Sequence, residues 1–536
     1  MILKYYYTIK YLRKEQIFGR IYSIIKRKYF KQNIPDIPFK LETNEQSLTD
    51  YLFYDPTNRK EEILNGNFTF LNHCGQTGIP INWNINEFPL LWKFNLHYFN
   101  YGFLLNKSEF ENICINWINE NPLGKGTGWH SYPLSIRIVN WIKMKPENEV
   151  IKHSIYQQAS FLYRNMEFYF PGNHYLENAK ALYFAGKYFS GCGESDKWLS
   201  EAKRIFYKEL PIQVLSDGGY FERSTMYHAI MLFGLLDMYN ITLHDEEYCD
   251  FLKRNITKML HFLNDLTHPN GEITLFNDSA EGIAPETKVL NEYANDLGFN
   301  NIEEKNIYTD SGYYVFKNKN IYFALDAGKI GPDYLPAHSH SDIFSYELSV
   351  NKKKIITDTG VFEYKHGIRR NYSRSASAHN TLCIDGIDQI ECWGSFRVAR
   401  RYKPENIKYE CNADNFNFSG EYKGFARLIG DKIIHRRNIL TKDNTISVRD
   451  SVSGKGNHLV KSYIHLHPDC SISADGNEYF ISLDEVDVKI SIKDCDHEIE
   501  ETEYYPQFGI ALTQSTIILT KTSIPAQIDY DILILK

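Results

Sequence analysis

Four stretches of the sequence gather side chains that could do chemistry. In Pro336-Ala337-His338-Ser339-His340-Ser341-Asp342 two histidines alternate, and in extended chain they share a face, which is metal-ligand spacing. Asp358 and His379 follow in Thr357-Asp358-Thr359-Gly360 and Ser377-Ala378-His379-Asn380; two imidazoles and a carboxylate can supply three ligands to zinc. In Pro171-Gly172-Asn173-His174-Tyr175-Leu176-Glu177-Asn178, Pro-Gly ends one helix and Asn173 is suited to cap the next. His174, Glu177 and Asn178 then fall at i, i+3 and i+4, on one helical face. In Asp217-Gly218-Gly219-Tyr220-Phe221-Glu222-Arg223-Ser224-Thr225-Met226-Tyr227-His228 a glycine turn leads into a helix, with Arg223 one turn before Tyr227. A cation there would favour the phenolate. The fourth stretch, Trp129-His130-Ser131-Tyr132-Pro133 with Arg137 beyond it, sets aromatic platforms beside an arginine, as suits a polyhydroxylated anionic ligand. Each stretch also has a plain reading: buried filler histidines, a helix cap with a surface ion pair, a core tyrosine, an aromatic helix start.

The elements that must position these residues change character along the chain. From about residue 90 to about 295 apolar residues recur at helical spacing, as in Met231, Leu232, Leu235, Leu236 and Tyr239. Breaks fall at Asn121-Pro122-Leu123-Gly124, Pro171-Gly172-Asn173 and Ser216-Asp217-Gly218-Gly219, and seven or more helices joined by short loops suggest helices paired into a ring or solenoid. After about residue 308 the period becomes two; 313–316 and 321–325 read as a hairpin around Asn318-Lys319-Asn320. A helical half followed by a strand half implies two cores. The expected organisation is a basic helical segment over 1–40, a helical catalytic domain over 41–300 and an antiparallel strand domain over 308–536.

Composition narrows the function class. The 536 residues are 43% hydrophobic and 24% charged, which excludes a disordered or collagen-like chain. Aromatic residues reach 15%, enough for both core filling and sugar stacking. The net charge of −7 argues against a nucleic-acid binder held by phosphates. Residues 1–31 nevertheless carry nine Lys or Arg against Glu15 alone, which reads as a basic helix packed on the body or a peripheral membrane contact. That stretch, interrupted by Lys10, Arg13, Lys14 and Glu15, does not read as a signal peptide, so the expected compartment is the cytoplasm, at the inner membrane face or free of it; the alternative is the periplasm or cell envelope. The nine cysteines form no CxxC pair, which argues against a disulfide framework.

Taken in order, the segments FNLHYFNY (94–101), WHSYPLSIRIVNW (129–141), GNHYLENAKAL (172–182), GGYFERSTMYH (218–228), HSHSD (338–342) and SAHNTL (377–382) resemble the heparinase II/III family of polysaccharide lyases. The resemblance implies an N-terminal (α/α) toroid followed by a C-terminal antiparallel β-sandwich. It implies that Asn173 or His174 neutralises a substrate carboxylate, that Tyr227 and His338 are the acid–base residues, and that Glu177 lies near the cleft. It also implies that His340, Asp358 and His379 bind one structural metal, usually zinc. His97, Trp129, His130, Tyr132, Arg137, Arg223, His228 and Asp278 complete the expected substrate-binding set.

These residues fit β-elimination in an anionic, uronate-containing polysaccharide. Donors on the carboxylate stabilise the carbanion formed at C5, a base removes the C5 proton, and an acid protonates the leaving O4. Two rivals share the sequence: a glycoside hydrolase using Glu177, Glu222 and Asp278 as paired carboxylates, and a non-catalytic glycan-binding protein. Hydrolysis products would carry no new double bond.

Overall fold

The computed structural model describes residues 2–29, 41–44, 51–243, 245–412, 414–430 and 432–535. Residues 30–40, part of the segment expected over 1–40, lie outside them. The chain begins with two helices, α1 (Ile2–Ile9) and α2 (Lys14–Tyr29). A series of longer helices then runs from Leu90–Tyr98 to Thr287–Asp296 and forms the toroid. Local sequence sets their ends. Asn106 and Glu109 make a reciprocal capping box on Lys107–Glu120, and Ser224 caps Thr225–Thr242 by accepting the Tyr227 backbone N–H. Ser131–Lys143 packs on Asn173–Tyr188, which in turn meets Ser195–Gln213 and Thr225–Thr242. Asn173–Tyr188 and Thr225–Thr242 are buried on almost every side; Leu176, Ala179, Leu182, Tyr183, Leu232 and Leu235 are among their buried residues.

Strands dominate from Ile307 onward. The expected hairpin forms, with Tyr313–Lys317 antiparallel to Ile321–Asp326, inside a five-stranded sheet that continues through Tyr346–Val350 and Lys353–Ile356. An eight-stranded and a four-stranded antiparallel sheet complete the sandwich. One core spans all three, holding Phe323 and Leu348 from the first, Ile439 and Ile532 from the second, and Leu382 and Ile517 from the third. The hydroxyls of Tyr346 and Tyr530 meet across it at 2.9 Å. Arg437 is buried within this core, where its Nε and Nη2 bond Asp450 at 2.8 and 2.6 Å and its Nη1 donates to the carbonyls of Phe344 and Asn380. A guanidinium satisfied on all sides tolerates burial that an unpaired one would not.

The two halves are joined by α1 and α2 as well as by the chain. Trp393 Nε1 donates to Thr8 Oγ1 at 3.1 Å, and the Arg401 guanidinium lies 3.8 Å from the Tyr11 ring centre. Arg13 stacks on Tyr334 at 3.5 Å, and Gln16 Nε2 donates to the Tyr334 carbonyl at 3.0 Å. Farther along α2, Gly19 is pressed so closely to Phe168 and Tyr169 that a Cβ there would stand 2.7 Å from the Phe168 ring. The basic segment therefore bridges the toroid and the sandwich.

Candidate active site

A cleft of about 1850 Å³ lies between the halves, walled by the toroid, by the loops at 333–338, 362–365 and 396–398, and by α1 and α2. Asn173, His174, Tyr227 and His338 all line it, as do Tyr132 and Glu177. Tyr227 comes from the first turn of its helix and His338 from the sandwich half, and their rings stand 4.0 Å apart, centre to centre.

His338 is oriented from behind. Its Nδ1 bonds Asp278 Oδ2 at 2.8 Å, while its Nε2 is 3.8 Å from Glu222 Oε2. Asp278 is fully buried and also takes His340 Nε2 at 2.7 Å and both terminal nitrogens of the buried Arg370. Burial opposes ionisation of Asp278, but Arg370 and the two imidazoles outweigh it and hold its carboxyl well below the usual range. Asp278 is thus a fixed anion under His338, occupied on both oxygens, not a carboxylate free to reach a sugar.

Tyr227 shares a hydrogen bond with the Tyr364 hydroxyl at 3.1 Å. Burial pushes its pKa well above the ordinary tyrosine value, and Tyr364, Asp278 and Glu222 push it the same way. The expected help from Arg223 is not there. Arg223 lies outside the helix with φ +61° and turns its guanidinium to the Asp310 carbonyl, 2.8 Å away. One turn of sequence separation placed it near Tyr227 only if the helix began earlier than Thr225.

Asn173 also departs from expectation. Gly172 occupies the cap position, and Asn173 is the first residue of the helix Asn173–Tyr188. Its Oδ1 accepts the His174 N–H at 2.8 Å, which leaves the amide hydrogens on Nδ2 for a ligand. His174 is stacked on Tyr132 with ring centres 4.2 Å apart, and its Nδ1 meets Glu167 at 3.1 Å. Glu177 lies next in the wall, paired with Lys180 at 2.9 Å.

Other expected substrate contacts are turned into the core. Trp117 Nε1 donates to His97 Nδ1 at 2.9 Å, and the Arg137 guanidinium stacks on the Trp117 ring at 3.8 Å while its Nε bonds Gln158. Trp129 packs on Phe161, and His228 donates or accepts only within the core, between Met259 and Tyr220. His130 is exposed outside the cleft lining. His97, Trp129, Arg137, Arg223 and His228 therefore do not face a ligand in the cleft, while the His130 ring packs 5.4 Å from that of Phe94, which lines it. Conversely, Tyr364 and Arg370 are parts of the constellation that sequence reading did not place there, and Glu222, read only as a hydrolase carboxylate, stands beside His338.

Of the expected metal ligands, Asp358 and His379 touch, with Oδ2 2.7 Å from Nδ1, and the His340 and His379 ring centres are 5.3 Å apart. Burial raises the Asp358 pKa to about 6; at His379 burial acts downward but Asp358 outweighs it and lifts the imidazole to about 9. His340 Nδ1 and His379 Nε2 are buried with no hydrogen-bond partner, an arrangement that a cation would satisfy. Among the described residues no three His, Cys, Asp or Glu side chains are grouped so as to hold a metal ion. The donor types fit zinc; the third ligand is not converged with the other two.

The comparisons with known proteins agree with this architecture. Residues 134–302 match the heparinase II/III N-terminus and residues 303–529 the heparinase II/III-like C-terminal domain. A heparin-sulfate lyase of Bacteroides stercoris is 27% identical over 312 residues, covering 52% of this chain and 43% of that protein, so the match spans less than half of the relative's length. Among solved structures, heparinase III superposes with a TM-score of 0.70 at 17% identity, covering 98% of this chain and 91% of that one. A mutant heparan sulfate lyase from Pedobacter heparinus gives 0.64 at 18% identity, covering 97% and 88%. Both share the toroid and sandwich fold. With two adjoining domain matches from residue 134 to residue 529, the chain belongs to the heparinase II/III family.

Proposed function

We propose that the protein is a polysaccharide lyase that cleaves a uronate-containing glycan by β-elimination. The observation that carries this reading is the Tyr227–His338 pair in the cleft, 4.0 Å between rings, with His338 held from behind by Asp278. A proton on Nδ1 shared with Asp278 leaves the Nε2 lone pair free to take the C5 proton. As the C5–H bond breaks, the C4–C5 double bond forms, the C4–O4 bond breaks, and the Tyr227 hydroxyl protonates O4. Asn173 Nδ2 and His174 supply hydrogen bonds to the carboxylate whose charge grows during proton removal; losing one such donor costs about 3 kcal/mol. The relatives named as heparin-sulfate and heparan sulfate lyases support glycosaminoglycans as the first substrates to try. The hydrolase reading loses a member, because Asp278 is committed to Arg370 and two histidines.

The test is ultraviolet absorbance during incubation with a panel of uronate polysaccharides. A rise marks the unsaturated product. New reducing ends without absorbance would instead mark hydrolysis and sink the proposal.

The state of Tyr227 yields a pH prediction. A phenol whose pKa is raised stays protonated through neutrality and remains a competent acid. Were it a phenolate base in the free enzyme, kcat/KM would climb as pH rises toward its pKa. We expect no such alkaline climb between neutrality and a pH of about 9, the region below the unperturbed tyrosine value. A pH–rate profile that rises steadily through that window would reverse the assignment of acid and base.

We further propose that His340, Asp358 and His379 hold one divalent ion, zinc by donor type, in a structural role. The support is the pair of buried, unpartnered imidazole nitrogens. When bound, the ion would supply rigidity to the segment that carries His338, two residues from His340. Chelation is therefore expected to lower the melting temperature at least as much as it lowers activity. Protein that contains no metal as purified, or that keeps its melting temperature after chelation, would rule the site out.

A further inference from the structure

The reaction uses neither the outer face of α2 nor the charge on the first two helices. Phe18, Tyr22 and Ile25 fall at i, i+4 and i+7 on α2 and are 67%, 55% and 46% exposed, with Ile21 beside them at the rim of the cleft. On α1, Ile2, Leu3 and Tyr6 are likewise exposed. On its other sides Gly19 is against Phe168 and Tyr169, Gln16 is bonded to Tyr334, and Ile17 and Ile24, themselves 38% and 60% exposed, border the cleft. The exposed stripe is thus not a core face turned the wrong way. It is an exposed apolar face on a helix already docked through Gln16 and Gly19. Contiguous apolar surface of this kind marks an interaction site.

Charge indicates the partner. Nine Lys or Arg against one acid lie within residues 1–31, while the whole chain carries −7, so the rest of the molecule is net acidic. Lys10 and Lys14 are exposed, and Lys14 shares the arc of Phe18, one turn away. An anionic surface would attract this end and repel the remainder, fixing orientation as well as contact. A polysaccharide would match the lysines and stack on Phe18 and Tyr22, but it would offer nothing to Ile25, Ile2 and Leu3. A second copy of the chain would bring the same cationic helices face to face.

We propose that α1 and α2 form a docking surface for an anionic lipid bilayer. Phe18, Tyr22, Ile25 and the α1 residues enter the headgroup boundary, and Lys10 and Lys14 lie at the lipid phosphates. Because the other side of the same helices lines the cleft, docking sets the cleft beside the membrane. No helix among the described residues is long and apolar enough to cross one, so the contact is peripheral.

The experiment is sedimentation of the full chain with vesicles of equal parts phosphatidylcholine and phosphatidylglycerol, compared with pure phosphatidylcholine. Binding to the anionic vesicles is expected to exceed that to the neutral ones by at least about tenfold, and to fall by a similar factor in raised salt. Phe18→Ser/Ile25→Ser should reduce it by roughly tenfold with an unchanged melting temperature. Lys14→Glu, a fully exposed change, provides the same test should that double variant not fold. Failure to bind anionic vesicles, equal binding to both kinds, or undiminished binding by the folded variants would overturn the proposal. So would a wild-type dimer that binds no vesicle and that Phe18→Ser/Ile25→Ser converts to monomer, or capture by an anionic polysaccharide alone.

Discussion

Replacing Tyr227 with Phe is expected to lower kcat by roughly 10²–10⁴-fold, the range of a lost general acid, with KM changed only a few-fold. The hydroxyl donates its proton to O4 only as the C–O bond breaks, so its contribution is confined to the transition state. Its one described hydrogen bond is to Tyr364, and a neutral bond of that kind contributes about 1 kcal/mol. The folded protein should therefore survive nearly intact, and the ring should still stack against His338. Initial rates of absorbance on the best substrate, with a denaturant curve alongside, check both halves. A Tyr227→Phe protein that retains wild-type kcat would remove the acid from the mechanism.

The second large effect is at Asp278, where stability and activity are coupled. Asp278→Ala leaves the buried Arg370 guanidinium with the Ser395 carbonyl as its one described hydrogen-bond partner, beside the Tyr364 and Phe396 rings, and frees His338 and His340. Stranding one member of a buried pair costs about 3–5 kcal/mol. His338 would also lose the anion that fixes its tautomer, so the surviving folded fraction should be slower by up to ~10⁴-fold, as for a misoriented catalytic imidazole. A double variant, Asp278→Leu/Arg370→Met, separates the two. Removing both charges together should recover much of the stability and none of the rate. Recovery of rate with stability would show that Asp278 only holds the fold.

Much of this site was legible because its members sit in short motifs at element starts. Gly172-Asn173-His174 and Ser224-Thr225-Met226-Tyr227 each join a turn to the first turn of a helix, where side chains face an opening. The alternation in His338-Ser339-His340 likewise sent both histidines to one carboxylate. What failed was facing. On helices buried nearly all round, such as Thr225–Thr242, the 3.6 period does not say which side meets the cleft, so His228 and Arg137 looked functional and are core. Arg370 and Tyr364 were missed for the opposite reason. Arg370 comes from the short helix Ile368–Ser373, 92 residues from Asp278, and Tyr364 from the segment before it, 137 residues from Tyr227, with no local pattern to announce them. The domain character was easier to read, since a change from period 3.6 to period 2 reports a change of core whatever the loops do.

The bridging helices carry a consequence for how the molecule is made. Gln16 waits for Tyr334, 318 residues later, and Thr8 waits for Trp393, 385 residues later. At about 5–20 residues per second, that delay is roughly 15 s to more than a minute of synthesis. Throughout it, the two helices lack the sandwich residues that will hold them, and their apolar residues stay bare. The cell must therefore shelter this segment, or let it find a surface, before the wall of the cleft exists.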